Sequence, residues 1–195
     1  IQIKQNVTFK AETHNFPTAI SPFPAAETGV GGRIRDTVCI GRGGINIAGT
    51  AGYCVGNLNI DNYNLNWEDG KYKNGLLVPA DKILIEASNG ASDYGNKIGE
   101  PIISGFTRSF GTDINSVKRV EWLKPIMFSG GIGFMYDKDI HKVNTKSNMK
   151  IIKIGGDAFK IGLGGSTASS IENDTNNLDI YEGSVQRGDA EMENK

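Results

Sequence analysis

The sequence predicts an α/β (α+β) fold on three observations. Its opening residues alternate apolar and polar with a period of two, as a half-buried strand does. Leu84, Ala87, Ala91, Tyr94 and Ile98 recur at the spacing of an amphipathic helix. Glycine supplies 26 of 195 residues, and its clusters at 29–32, 41–44, 130–133, 155–156 and 162–165 punctuate short apolar runs. That is about twice the usual fraction of roughly 7% and suits tight turns or close backbone approach.

Residues 1–12 read as a strand, with Ile1, Ile3, Val7, Phe9 and Ala11 on one parity and Lys4, Thr8, Lys10 and Glu12 on the other. Lys10, Glu12 and His14 share a face if the extended run reaches His14. Pro17, Pro22 and Pro24 then break regular structure, and Thr28 to Gly32 reads as a Gly-rich loop. Asp36 is expected on the first or second turn of a helix that carries this loop at its N-terminus. Ile47 to Ile60 reads as the next strand and Asp61 to Asn74 as a polar loop or hairpin. A helix is expected over Pro79 to Ile98, started by Pro79 and stopped by Gly99, with Gly90 and Gly95 weakening it inside. Pro101 to Phe110 and Lys124 to Tyr136 read as strands, the second kinked at Ser129-Gly130-Gly131. Asp137 to Asn148 is polar, with a boundary expected at 144–148. Met149 to Ile154 and Phe159 to Gly164 read as short strands, 172–183 as loop, and Ser184 to Asp189 as the opening of a polar helical tail.

Composition excludes several functions. Lys and Arg total 21 against 22 Asp and Glu, and a net charge of −1 offers no electrostatic footprint for nucleic acid or a membrane surface. No apolar run approaches the roughly 18–20 residues that span a bilayer. Cys39 and Cys54 form no CxxC pair and read as reduced core thiols. Without a secretory signal, Asn6-Val7-Thr8 and Asn173-Asp174-Thr175 are set aside as glycosylation acceptors, and a cytoplasmic location is expected.

The chemistry concentrates between Phe9 and Asp36. A cation (Lys10), two carboxylates (Glu12, Asp36), an imidazole (His14) and a Gly-rich segment fit the handling of a metal-bound nucleotide. The segment is not a Walker A loop, because no Gly-Lys-Ser/Thr ends it, and no apolar parallel strand precedes it as a dinucleotide fingerprint requires. A lone histidine is more often structural than catalytic. Flanked by Glu12, Thr13 and Asn15, His14 is the candidate catalyst, whereas His141 in its polar run reads as solvated.

Eight collinear stretches carry a resemblance: KAETHNFPTAISPF, TGVGGRIRD, AGTAGYCVGNLNI, NWED, EASNGASDYGNKIGEP, KPIMFSGGIG, IGLGGSTASS and SVQRGDAEME. Together they resemble the formylglycinamide ribonucleotide amidotransferases, or phosphoribosylformylglycinamidine synthases, of purine biosynthesis. They most resemble the large single-chain type, and the resemblance runs through nearly the whole chain. It implies the fold shared with aminoimidazole ribonucleotide synthetase: an N-terminal domain whose mixed sheet is covered by helices and packs against a partner, then a C-terminal α/β domain. Residues 1–147 would be the first N-terminal half and 148–195 the incomplete start of the C-terminal half. A second synthetase half and a glutaminase domain of the same polypeptide would be its partners.

The resemblance also implies a reaction and its residues. ATP would phosphorylate the amide oxygen of formylglycinamide ribonucleotide, and ammonia released from glutamine would displace phosphate. His14 resembles the catalytic histidine, and Glu12 and Asp36 resemble Mg²⁺ ligands. Lys10 resembles an ATP-phosphate ligand. The block Ala25, Ala26, Glu27, Thr28, Gly29, Val30, Gly31, Gly32, Arg33, Ile34, Arg35 and Asp36, together with Ser104, Gly105 and Phe106, resembles nucleotide-binding stretches. Thr13, Asn15, Phe16, Arg35 and Gln186 resemble substrate contacts. Phe16 departs from the second histidine of small bacterial relatives and takes no acid/base role. Ser166-Thr167 and Asp157 depart from the usual loop residues. A second reading is a non-catalytic scaffold holding a structural nucleotide, but a scaffold has no need of His14. Alone, the fragment is expected to be inactive and to self-associate through uncovered sheet surface.

Overall fold

The computed structural model describes residues 3–63, 65–68, 75–115, 117–170, 172 and 177–194. Ile1, part of the loop Asp61 to Asn74, and Asn173-Asp174-Thr175 lie outside them. The α+β class expected from the sequence is found. Strand β1 (Gln5–Thr13) leads through α1 (Asn15–Ile20) and α2 (Pro22–Val38) to β2 (Ile45–Val55) and α3 (Ala80–Ile98). Strands β3 (Ile102–Ser109), β4 (Gly111–Ile114), β5 (Lys118–Glu121) and β6 (Ile126–Tyr136) follow. Short helices α4 (Gly165–Ser170), α5 (Leu178–Gly183) and α6 (Ala190–Glu193) come last.

Among the described residues the main sheet has the order β1-β6-β2-β3. It is mixed: β6 pairs antiparallel with β1 and β2, while β2 and β3 run parallel. Helices α2 and α3 cover one face. Ala26, Val30 and Ile34 of α2 meet Ala87, Ala91 and Tyr94 of α3, over Ala51, Tyr53 and Met127 of the sheet. Fully burying a side chain such as Val30, Ile34 or Met127 stabilises by about 1.5–3 kcal/mol. The predicted helical spacing of α3 is this packed face. Its Gly90 lies at the closest approach of the two helices, where an added Cβ would stand 2.2 Å from the carbonyl oxygen of Phe23. The helix therefore runs unbroken through that glycine.

The alternation of β1 is present, but its apolar side faces outward. Val7 and Phe9 are 82% and 72% exposed, while the side chains of Thr8, Lys10 and Glu12 are turned toward α2. Register places Phe9 opposite Ile132, and Val7 and Ile45 both opposite Phe134, so a continuous apolar strip lies on the uncovered face.

Several expectations are corrected. The Gly-rich segment is the middle of α2, not a loop, and Asp36 sits in that helix's last turn rather than its first or second. Pro22 starts the helix, where its missing N–H costs no intrahelical bond. Met149 to Ile154 and Phe159 to Gly164 form no strands: no described strand pairs with them, and an isolated strand leaves its backbone groups unsatisfied. Residues 178–183 form α5 instead of loop, because Tyr181 packs edge-on against Phe16 with centroids 5.3 Å apart. Cys39 is exposed at the end of α2, and only Cys54 is buried.

Candidate functional site

The polar side of β1 and the C-terminal half of α2 form one seam. Lys10 Nζ lies 2.8 Å from Asp36 Oδ2 and 3.6 Å from Glu12 Oε2. The hydrogen bond to Asp36, reinforced by its charge and that of Glu12, holds the Lys10 ammonium above its ordinary range. The seam needs Gly32: an added Cβ there would stand 2.7 Å from Glu12 Oε1. Glycine in a helix interior costs about 0.8–1.0 kcal/mol relative to alanine. Here it lets a carboxylate lie against the helix wall, beside Arg35, whose Nε is 3.9 Å from Asp36 Oδ1. Glu12 and Asp36 thus flank Lys10 as two hard oxygen donors. Mg²⁺ is commonly held by one or two carboxylates completed by phosphate oxygens and water, so this donor set fits it. Among the described residues no cluster of three or more His, Cys, Asp or Glu forms an all-protein cage.

His14 follows directly after β1. Its backbone N–H donates to Met127 O at 2.8 Å, and Asn15 Oδ1 accepts from Met127 N at 3.1 Å, which ties the turn to β6. Its Nδ1–H donates to Ala25 O at 2.7 Å. A carbonyl only accepts, so the hydrogen bond fixes the neutral tautomer and leaves Nε2 with its lone pair. Burial lowers the imidazole's pKa, outweighing the opposing effects of Ala25 and Glu12. His14 is therefore a neutral acceptor at neutral pH.

Thr13, His14, Asn15 and Phe16 line a cleft of about 620 Å³ together with Lys124, Ser166, Ser169 and Gln186. Phe16 is fully buried and forms its floor. Gln186 reaches this cleft from far along the chain because its carbonyl accepts from Thr28 Oγ1 at 2.9 Å. Thr28, Gly31, Gly32 and Arg35 line a neighbouring cleft of about 670 Å³, which Gln186 also borders. The structure thus brings Lys10, Glu12 and Asp36 to one seam, with His14, Thr13, Asn15 and Gln186 beside it.

Other predicted site residues lie elsewhere. Ala25, Ala26, Gly29, Val30 and Ile34 are on the buried face of α2. Arg33 is fully buried: its Nη1 donates to Glu100 Oε1 at 2.7 Å, its Nη2 to Glu100 Oε2, and its Nε to Ser129 Oγ at 3.2 Å. The Glu27 carboxyl faces α3, where burial and then a hydrogen bond with Asp93 push its pKa up to about 7. Ser104, Gly105 and Phe106 are on β3, at the opposite edge of the sheet from β1 and three strand spacings, about 14 Å, away. They line a separate cleft of about 390 Å³ with Ser88 and Ser92. Sequence reasoning missed Lys124 and Glu100. Lysine before Pro125 at a strand entrance was the available signal for the first. Nothing local marks Glu100, because its partner lies 67 residues away.

No family model matches the chain. It is 55% identical over 194 residues to the phosphoribosylformylglycinamidine synthase of Dictyostelium discoideum, a match covering 98% of this chain and 14% of that protein. It is 53% identical over 195 residues to the Homo sapiens protein of the same name, again covering 98% and 14%. The probable chloroplastic/mitochondrial phosphoribosylformylglycinamidine synthase of Arabidopsis thaliana is 54% identical over 192 residues, covering 97% and 14%. The chain therefore spans about one seventh of the length of these relatives. In fold it is similar to T. maritima PurL complexed with FGAR, with a TM-score of 0.60 and 24% identity, over 100% of this chain and 27% of that one. The resemblance carried by the eight motifs is borne out along nearly the whole chain.

Proposed function

We propose that this chain is a segment of a phosphoribosylformylglycinamidine synthase and supplies part of its ATP-dependent synthetase site. Residues 1–147 would form the N-terminal half of one synthetase unit and 148–195 the start of the following half, in a cytoplasmic enzyme. The observation that carries the reading is the convergence of Lys10, Glu12 and Asp36 on one seam beside a neutral His14. The remaining polypeptide, with a second synthetase half and a glutaminase, would supply ammonia and the other site residues.

In this reading Glu12 and Asp36 would hold Mg²⁺, whose chemistry would be to neutralise charge on the ATP phosphates, and Lys10 would turn from the two carboxylates to the phosphates. The amide oxygen of formylglycinamide ribonucleotide attacks the γ-phosphorus, and the bond to the ADP oxygen breaks. The amide N–H proton must leave as the iminophosphate forms, and His14 Nε2 is the base placed to take it. Ammonia then adds to the carbon, phosphate departs, and the amidine remains.

The test is Glu12→Gln and Asp36→Asn in the complete enzyme. A contact to a charged group is worth about 1.5–3 kcal/mol, so each change is expected to raise the KM for magnesium–ATP by about 10–100-fold. Unchanged KM and kcat would favour the scaffold holding a structural nucleotide. The isolated segment is also expected to self-associate through Val7, Phe9, Ile45 and Ile132, and Phe9→Lys to reduce this, as read by sedimentation velocity. A clean monomer of the unaltered segment at high concentration would overturn that expectation.

A further inference from the structure

We propose that Thr18 is a positioning residue for the synthetase reaction: its hydroxyl fixes the main chain of His14 and, through it, the place of the imidazole. The inference rests on the function proposed above and deepens it with a residue that carries none of the roles read from the sequence. Three elements each hold one polar group of His14. Its N–H donates to Met127 O of β6 at 2.8 Å, and its Nδ1–H to Ala25 O of α2 at 2.7 Å. Its own carbonyl accepts from Thr18 Oγ1 of α1 at 2.5 Å. The first two partners are main-chain carbonyls, which any residue supplies. Thr18 contributes through its side chain, so it is the anchor of the three that depends on residue type.

The point of attachment is itself tied down. Thr18 is fully buried, as are Phe16 and Ala19 on either side of it. Val78 N donates to Ala19 O at 2.9 Å, which joins α1 to the segment leading into α3. Behind His14 there is little slack: a Cβ on Gly29 of α2 would stand 3.3 Å from His14 Cβ and 2.8 Å from Met127 Sδ. Helix propensity does not account for Thr18. A threonine hydroxyl that bonds the carbonyl four residues back slightly destabilises its helix. Helix α1 has six residues, and a helix that short has no stability of its own to spare. A valine would fill the same space with no hydroxyl to satisfy. What the hydroxyl adds is a hold on the residue that carries the ring. Releasing it frees the peptide after His14 to turn, and the imidazole turns with it. A misplacement of about 1 Å at a reacting group costs about 10²-fold in rate.

Thr18→Val in the complete enzyme keeps the shape and removes the hydroxyl. It is expected to lower kcat by about 10–100-fold, with the KM for magnesium–ATP and for formylglycinamide ribonucleotide within about twofold of normal. Thr18→Ser keeps the hydroxyl and should recover most of kcat. In a His14→Ala background Thr18→Val should cost nothing further, because Thr18 acts only through the imidazole. A second arm needs no turnover. Carbethoxylation of His14 by diethyl pyrocarbonate, read by mass spectrometry, should be at least about threefold faster in Thr18→Val and normal in Thr18→Ser. Exposed His141 serves as the internal standard. Faster labelling in Thr18→Val together with full activity of His14→Ala would sink the catalytic role of His14 and keep the positioning. Unchanged labelling of His14 in Thr18→Val would overturn the positioning. So would an equal loss of kcat in Thr18→Val and Thr18→Ser, or a further loss in the His14→Ala background. Where His14→Ala is impaired, a Thr18→Val kcat within about twofold of normal would overturn it as well.

Discussion

His14→Ala in the complete enzyme is expected to lower kcat by about 10²–10⁴-fold, the usual contribution of a positioned acid or base. The loss should be equal with glutamine and with free ammonia if, as proposed, the imidazole serves the synthetase step and not ammonia release. The geometry makes the role specific. Nδ1–H is spent on Ala25 O, and the ring is neutral, so Nε2 is available to receive the amide proton. His14→Gln retains a polar group but no base near neutral pH and should fall with alanine. Loss with glutamine alone would move His14 to ammonia delivery. The pH dependence follows from the lowered pKa. The unfolded chain takes up its proton near the ordinary value of 6.5, while the buried imidazole resists it to lower pH. Stability from this group is thus fully present above pH 6.5 and is lost as pH falls toward the folded pKa. Thermal melting compared between the unaltered protein and His14→Ala should show a smaller acid-side loss in the variant.

What the sequence made legible follows from the range of the interactions involved. The helix α3 was readable because its face repeats within one element. Strand β1 was readable in period but not in facing, because which side is covered depends on α2 rather than on β1. Helix α2 was unreadable: Gly29, Gly31 and Gly32 count against a helix interior by local propensity, and Pro22 and Pro24, tolerated in a first turn, read equally as breaks. Tertiary contact overrides this, since Gly31 must clear the Tyr94 ring and Gly32 the Glu12 carboxylate. Taking α2 for a loop hid the difference between Arg33 and Arg35. Two residues apart on a helix they are about 200° apart in facing, so one is buried and the other exposed. Lys10, Glu12 and Asp36 could still be grouped correctly, because charge type identified them without facing. Ser104 to Phe106 could not be placed, because strand order is not written in any local pattern.

Arg33→Met is expected to destabilise the fold by about 3–5 kcal/mol, because it leaves the buried Glu100 carboxylate without its partner. Arg33 and Glu100 are both almost wholly withdrawn from water, and the guanidinium also donates to Ser129 on β6. The pair therefore ties α2 to the turn before β3 and to the central sheet. Glu100→Leu should cost similarly, since it leaves the buried guanidinium without a counter-charge. The double variant Arg33→Met with Glu100→Leu should recover most of the loss, because neither charge is then stranded. Urea unfolding of the four proteins gives the coupling directly. The outcome also separates the two roles open to Arg33. As an internal clamp, its loss lowers the unfolding midpoint and leaves the KM for magnesium–ATP near normal in the enzyme that remains folded. A nucleotide contact would give the reverse, a raised KM with an unchanged midpoint, and that pattern would require Arg33 to leave Glu100 when ATP binds.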